Sequence, residues 1–530
     1  MKVSHQSRRS NFANLRAKNF GVAMRLVVGL TVAALSSLAM PNLAYGRDLP
    51  VVRPVMDCRD LAGLDIYPEG GSPARINSAT LERSADGIPR CRVEGYVAPQ
   101  VRFELRLPTE NWYQRFMYSG CGGFCGRVDF RVRAAEGCSA VENGEFAMVA
   151  SDLGHSTPEG NADTIWAAGN RQGKIDYGYR GVHVVTLASK AIIETFYGQA
   201  PAFSYFNGCS DGGREGMMEV QRYPEDFDGV IAGAPVMNNT ANNTIFHAWS
   251  AQHLFRADGS QVFSEKDLRV LHAGALAACD LAGDGIRDGL VSDPFSCAFD
   301  PEVLLCEAGD SGECLTGEQV AAARALYSGP MDSSGRRLFF GRPIGSELAW
   351  GGPNPVAYAA AFVRHMSEDE PREFDLDTFG FEPEDLRRYN SLASIFNATD
   401  TDISAFRDAG GKLIMWHGLA DPGVPAEGTL HYYNAVRERL GTSTDDFLTM
   451  YLLPGVGHCG GGHGPDRINL VNAIMAWVED GVAPGAIETV RREYGRVVQS
   501  RPVYPYPSVA TYVGHGDPLD GTSFRSSTGN

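Results

Sequence analysis

Tyr205-Phe206-Asn207-Gly208-Cys209-Ser210-Asp211-Gly212-Gly213 is the stretch that decides the fold. An aromatic run leads into Gly-x-Ser-x-Gly, and a helix-compatible segment, Arg214 to Arg222, follows. A serine on a sharp turn between strand and helix has a strained backbone and needs small neighbours on both sides. Gly208, Gly212 and Gly213 supply them. An ordinary glycine-rich turn shares the spacing but not the flanking strand and helix. The order strand, glycine-flanked serine, helix is that of the nucleophile elbow of α/β-hydrolases.

The neighbouring segments fit that class. Val101 to Leu107 alternates apolar and charged residues, as a half-buried strand does. Arg115 to Tyr118 reads as a strand that runs into Ser119-Gly120-Cys121-Gly122-Gly123-Phe124-Cys125-Gly126. Phe146 to Ser151 and Phe227 to Ala234 are apolar strands, and Val182 to Tyr197 has helical spacing. Strands alternating with helices predict a mostly parallel sheet covered by helices. The rhythm breaks from about Pro235 to about Ser404 and resumes at Lys412 to Gly418. A helix from about Gly428 to Leu440, a strand Phe447 to Leu453 and a helix around Ile468 to Trp477 follow. Cys58 and Cys91 bracket a polar, Gly/Pro-containing segment and are expected to close a loop, and the C-terminus reads as an irregular Pro/Tyr tail. The expected architecture is one α/β-hydrolase domain in two pieces, 47–234 and 406–530, with a lid domain, 235–405, inserted between them.

The 530 residues are too many for one simple core, which agrees with an insertion. A formal net charge of −17 argues against nucleic acid or an anionic membrane as partner, because both call for basic patches. A small-molecule substrate is expected instead. Arg8, Arg9, Arg16, Lys18 and Arg25 precede the uncharged apolar run Leu26 to Met40, and Ala44-Tyr45-Gly46 has small residues at cleavage spacing. Residues 1–46 therefore read as an export signal, with the mature protein periplasmic or extracellular. The apolar run is short for a membrane span. Eleven cysteines suit an oxidising compartment, and the odd number leaves at least one unpaired or intermolecular thiol. No C-x-x-C pair with zinc spacing is present.

A serine nucleophile needs a base in hydrogen-bond reach, and the base needs an acid that fixes its tautomer. In α/β-hydrolases the chain order is Ser, acid, His. Trp416-His417-Gly418-Leu419-Ala420-Asp421-Pro422 is an apolar strand followed by a loop Asp. Leu453-Pro454-Gly455-Val456-Gly457-His458-Cys459-Gly460-Gly461 is a strand followed by a glycine-rich loop carrying His. The expected triad is Ser210, Asp421 and His458. His417, at a strand end, reads as a structural histidine, and His463 lies deeper in the glycine loop. The expected oxyanion donors are the backbone N–H of Asp211 and one from the Gly120–Gly122 loop, at Gly120 or Cys121. In the insertion, Asp280, Asp284, Asp288 and Asp293 crowd a glycine-rich loop between Cys279 and Cys297. Clustered carboxylates repel unless a cation neutralises them, and oxygen ligands favour Ca²⁺, although the spacing is not that of an EF-hand. A solvated acidic turn is the plain alternative.

Gly208-Cys209-Ser210-Asp211-Gly212-Gly213-Arg214-Glu215-Gly216, Gly229 to Pro235, Gly410 to Asp421 and Pro454 to Cys459 together resemble the tannase/feruloyl esterase family, which also includes mono(hydroxyethyl) terephthalate hydrolase. The resemblance covers most of the mature chain. It implies a secreted serine carboxylesterase acting on esters of aromatic acids, whose lid covers the active site, binds the aromatic acyl group and carries a structural Ca²⁺. The implied ligands are the carboxylates of Asp280, Asp284 and Asp288 with the carbonyls of Ile286 and Leu290. The implied disulfides are Cys58–Cys91, Cys209–Cys459, Cys279–Cys297 and Cys306–Cys314. Cys121, Cys125 and Cys138 remain, of which two can pair. There are departures from the terephthalate enzyme. The acidic loop has one extra residue between Asp280 and Asp284, the 121–125 loop differs, and Tyr504 stands where a cysteine is expected. They favour a feruloyl esterase or a tannase. A peptidase or lipase on the same fold is a second reading, and a non-catalytic, Ca²⁺-stabilised binding protein a third.

Overall fold

The computed structural model describes residues 46–157, 162–307, 313–352 and 354–528. The expected export signal lies outside these apart from Gly46. Ten strands form one sheet: β1 (Asp65–Ile66), β2 (Ala74–Arg83), β3 (Pro89–Val97), β4 (Val101–Pro108), β5 (Arg115–Ser119), β6 (Phe146–Ser151), β7 (Phe203–Cys209), β8 (Gly229–Gly233), β9 (Lys412–Gly418) and β10 (Leu448–Leu453). Their spatial order is β1-β2-β3-β4-β6-β5-β7-β8-β9-β10. The first four pair antiparallel, and β4 meets β6 antiparallel. From β6 to β10 every pairing is parallel.

Burial follows from this topology. A parallel strand covered by helices on both faces is apolar throughout. β5 and β8 are buried at every position. In β3 buried and half-buried residues alternate instead. The helices Gly181–Tyr197 and Leu470–Asp480 end at Gly198 and Gly481, whose φ values of 75° and 72° suit glycine at a helix stop. Among the described residues between β8 and β9 the longer elements are helices, His247–Leu254, Glu265–Cys279, Gly317–Ser328 and Pro355–His365, joined by long irregular segments. Its own apolar cluster includes Leu271, Leu315, Val320, Leu326 and Trp350. Among the described residues no helix is long and apolar enough to cross a membrane.

Two sequence expectations need correction. Cys58 and Cys91 do close a covalent loop, but the segment inside it, where no strand is expected from the sequence, contains β1 and β2, and Cys91 sits in β3. Exposed charged and polar residues on β2 hide its period. The tail is not irregular either. β11 (Ile487–Glu493) and β12 (Arg496–Val503) form one antiparallel hairpin, and β13 (Ser508–Tyr512) pairs antiparallel with β14 (Phe524–Thr528). Tyr494 and Gly495 turn the first hairpin with φ of 49° and 78°, the positive values a tight two-residue turn needs.

A buried ion pair fastens the sheet to the helix Leu470–Asp480. Arg115 Nε and Nη2 donate to Glu479 Oε1 and Oε2, both at 2.7 Å, and Tyr205 Oη donates to Oε1 at 2.7 Å. Removing one member leaves the other charge buried and unpaired. Glu479→Ala is expected to lower stability by about 3–5 kcal/mol, read from the denaturant midpoint of the purified protein.

Candidate active site

Ser210 sits between β7 and the helix Asp211–Arg222, with φ 68° and ψ −120°. Its N–H donates to Gly233 O at 2.9 Å, and its carbonyl accepts from Arg214 N at 3.1 Å and Val236 N at 3.2 Å. The flanking glycines are sterically required. A Cβ on Gly208 would lie 2.3 Å from Gly212 O, and one on Gly213 would lie 2.3 Å from Gly233 O. Because β7, β9 and β10 are parallel, the loops after all three leave the same edge of the sheet. The loops after β9 and β10 are joined by Leu419 N to Leu453 O and Ala420 N to Val456 O, each 2.9 Å.

The structure brings the three predicted residues into one line. Ser210 Oγ lies 2.8 Å from His458 Nε2, and His458 Nδ1 lies 2.6 Å from Asp421 Oδ2. The carboxylate next to Nδ1 fixes the tautomer: Nδ1–H donates to Asp421, and Nε2 accepts from the serine hydroxyl. Asp421 is fully buried, and its Oδ1 accepts from Gly423 N at 2.8 Å and Val424 N at 3.0 Å. Burial pushes its carboxyl up, but His458 and His417 pull it well below the usual carboxylate range. Burial likewise pushes His458 down, and the charge and hydrogen bond of Asp421 outweigh this and raise it.

Three supporting residues carry no motif of their own. His417 is buried, with Nε2 3.2 Å from Asp421 Oδ2 and 3.0 Å from Val424 O, and Nδ1 2.9 Å from Thr429 Oγ1. Two oxygens at Nε2 place its proton there, so His417 donates to the acid. The available signal was its place four residues before Asp421. Arg214 is buried under the elbow and grips Asp211 at 2.6 and 3.0 Å and the carbonyls of Gly178 and Tyr177 at 2.6 and 3.0 Å. Tyr177 Oη donates to Asp211 Oδ1 at 2.8 Å.

In the glycine loop after β5 the expected oxyanion donors already have hydrogen-bond partners. Gly120 N–H donates to Asn207 O at 2.9 Å, and Cys121 N–H donates to Glu215 Oε1 at 3.2 Å. Both are committed to holding the loop. Asp211 N–H, the first of its helix, has no intrahelical acceptor and stays available. Gly122 is the next N–H along the loop. Among the described residues His463 forms no hydrogen bond to Ser210 or Asp421. It stacks near His272 with ring centroids 6.0 Å apart.

A cavity of about 1070 Å³ opens on His458. Its walls come largely from the insertion and include Phe263, Leu268, Trp350, His247 and Arg342. The profile described as "Tannase and feruloyl esterase" matches residues 85–527. The chain belongs to that family. It is 32% identical to the mono(2-hydroxyethyl) terephthalate hydrolase of Piscinibacter sakaiensis, over 87% of this chain and 89% of that one. It is 29% identical to feruloyl esterase B of Aspergillus niger, over 93% and 99%. The crystal structure of feruloyl esterase B from Aspergillus oryzae superposes with a TM-score of 0.76 at 28% identity, covering 86% of this chain and 97% of that one. The tannin acyl hydrolase of Aspergillus niger shares the fold, with a TM-score of 0.69 at 22% identity over 86% and 90%. This tannase/feruloyl esterase family member is thus a carboxylic ester hydrolase with an α/β-hydrolase fold.

In this esterase five disulfides are formed: Cys58–Cys91, Cys121–Cys125, Cys209–Cys459, Cys279–Cys297 and Cys306–Cys314. Cys138 is buried and unpaired, and burial pushes its thiol up to about 11. The acidic loop is organised by a residue far away in sequence. Arg501, on β12, pairs with Asp284 and, at 3.2 Å, with Asp288. Asp280 Oδ1 accepts from Asp288 N and Gly289 N, each at 3.1 Å. Asp293 turns away and caps Phe295 N and Ser296 N. Among the described residues, the side-chain groups that converge within 4.8 Å lie elsewhere: Cys121, Cys125, Asp211 and Glu215, and His183, Glu219 and Asp226. The first set is closed as a metal site by its disulfide.

The Cys209–Cys459 bond ties the residue before Ser210 to the residue after His458. Changing both cysteines to Ala is expected to lower kcat far more than it raises KM, because the serine–histidine distance loses its covalent restraint. Steady-state kinetics on one ester, with the melting temperature recorded alongside, read this out.

Proposed function

We propose that the enzyme hydrolyses esters of aromatic, phenolic acids, in the manner of a feruloyl esterase, through an acyl-enzyme on Ser210. The observation that carries this reading is the hydrogen-bonded line Ser210–His458–Asp421 beside a cavity lined with aromatic side chains. Ser210 attacks the ester carbonyl while His458 Nε2 takes its proton. Asp421 steadies the imidazolium, and His417 holds Asp421. Asp211 N–H and Gly122 N–H receive the oxyanion. His458 then returns the proton to the leaving alcohol, and a water attacks the acyl-enzyme by the same route in reverse. Galloyl esters belong in the same substrate panel, as do tannin and mono(2-hydroxyethyl) terephthalate, which appear in the names of its relatives.

The acidic loop is proposed to hold a structural Ca²⁺ through Asp280, Asp284 and Asp288 and the carbonyls of Ile286 and Leu290. Three largely buried carboxylates face one guanidinium there, an excess of two negative charges. Asp288 Oδ2 is buried without a hydrogen bond. Burial pushes the Asp288 carboxyl up to about 6, against the pull of Arg501 and with the push of Asp284 and Asp280. Neither proposed carbonyl receives a hydrogen bond among the described residues. The ion would supply charge balance and rigidity in the insertion, away from the reacting atoms. Export to an oxidising compartment is the matching proposal, supported by the five disulfides.

Ser210→Ala should abolish turnover of methyl ferulate, methyl gallate and p-nitrophenyl acetate; wild-type rates in that variant would refute the mechanism. The base must be neutral to act, and Asp421 raises its pKa. Activity should therefore rise with pH through a midpoint above the usual histidine value of about 6.5. Asp421→Asn should move that midpoint down and lower kcat by roughly 10⁴. EDTA should lower the melting temperature, with recovery on adding Ca²⁺; an unchanged temperature and no calcium by elemental analysis would exclude the ion.

A further inference from the structure

Among the described residues, Glu219 is the one buried carboxylate whose two oxygens both lack a hydrogen-bond partner. It lies near the end of the helix Asp211–Arg222 and is 1% exposed. Elsewhere the protein supplies donors to its buried acids. Glu479, for one, accepts from Arg115, Tyr205 and Arg47 N–H. A buried carboxylate without a donor is costly unless a proton or a cation neutralises it. Burial pushes the Glu219 carboxyl well up, and Asp226 and Glu215 add to that push against the pull of Lys190.

Two side chains converge on Glu219 from outside its helix. A ring nitrogen of His183, on the helix Gly181–Tyr197, a carboxylate oxygen of Asp226 and one of Glu219 all lie within 4.8 Å of one another. His183 Nδ1 is 2.7 Å from Asp226 Oδ2. The imidazole lies flat on the Tyr223 ring, with centroids 3.8 Å apart, which fixes its orientation. The charges around the cluster do not balance. Lys190 Nζ donates to Asp226 O at 2.6 Å, and Lys190 faces Asp226, Asp228 and Glu219. Three carboxylates against this ammonium leave an excess of two negative charges. The cluster also sits at the C-terminal end of its helix, where the helix dipole favours a cation. Arg222, at that same end, is engaged elsewhere: its Nη2 donates to Ser394 O, and its guanidinium covers the Tyr179 ring.

We infer that His183, Glu219 and Asp226 form a binding site for a divalent transition-metal cation of the Zn²⁺ class. One imidazole with two carboxylates is a donor set for such an ion, whereas calcium takes oxygen ligands. Bonds of about 2.0–2.1 Å set the ligand atoms of a tetrahedral ion roughly 3.3 Å apart, so small side-chain movements close the cluster on it, and water takes the fourth position. A proton on Glu219 leaves to solvent as the ion binds. The half-buried His183 is the exposed rim of the site. The ion would tie the helix Gly181–Tyr197 to the helix that follows Ser210. Its role is structural, because Glu219 lies about two turns along that helix from Asp211.

The purified, tag-free protein tests this after stripping with EDTA, addition of excess Ca²⁺ to occupy the acidic loop, and titration with Zn²⁺. The wild type should retain one Zn²⁺ per chain at micromolar free metal, by elemental analysis after dialysis, and its melting temperature should rise by about 1–3 °C. His183→Ala and Glu219→Gln should each lose both the bound ion and the shift, whereas Asp288→Asn, in the acidic loop, should keep both. No ion retained by the wild type overturns the inference, and a Glu219→Gln variant of undiminished stability would then assign the cluster to two carboxyls sharing a proton. Zn²⁺ retained in full by either His183→Ala or Glu219→Gln overturns it as well. If Glu219→Gln does not fold, as its melting curve would show, His183→Ala at the rim decides.

Discussion

A serine backbone held at φ 68° and ψ −120° is the constraint on which the rest of the site depends. A non-glycine residue in such a conformation costs of order 1–3 kcal/mol and persists only where its surroundings over-determine it. Here they do so from every side. The Ser210 N–H and C=O are bonded to Gly233 and to Arg214 and Val236. Arg214 locks the first residue of the helix through Asp211. Glycines let the backbones of β7, β8 and the helix approach too closely for any side chain. The strain therefore aims Oγ at one point, and the loops after β9 and β10 deliver Asp421 and His458 to that point.

The elements that local chemistry dictates were legible in the sequence. The elbow, the alternation of strands and helices, and the order Ser, Asp, His each depend on residues a few positions apart. The contacts that escaped the sequence reading are long in range. Arg501 lies 217 positions from Asp284, and nothing near either residue announces the pairing. The hydrogen bonds of the expected oxyanion loop are long in range too, because the partners of Gly120 N–H and Cys121 N–H are Asn207 and Glu215 across the fold. β2 and the C-terminal hairpins were missed for another reason. Their exposed faces are polar and their turn residues are not the usual asparagine–glycine pairs, so period and turn signal were both weak.

The fold separates two tasks. The sheet edge carries Ser210, Asp421 and His458 on loops tied to one another. The insertion between β8 and β9 brings its own apolar cluster and two of the five disulfides, and it supplies most of the cavity wall. Residues of that wall can change without disturbing the line of hydrogen bonds below it. This division suits a family whose relatives carry names as different as terephthalate hydrolase and feruloyl esterase.

The bond between Cys209 and Cys459 also orders events in time. Cys459 is synthesised 250 positions after Cys209, and the whole insertion, with Cys279–Cys297 and Cys306–Cys314, lies in between. During synthesis Cys209 necessarily waits while four later cysteines emerge and can pair with one another. The covalent closure of the site is therefore among the last steps available to the chain. A nascent molecule carries its nucleophile long before it carries the residue that activates it, so chemical competence arrives only when the polypeptide is nearly complete.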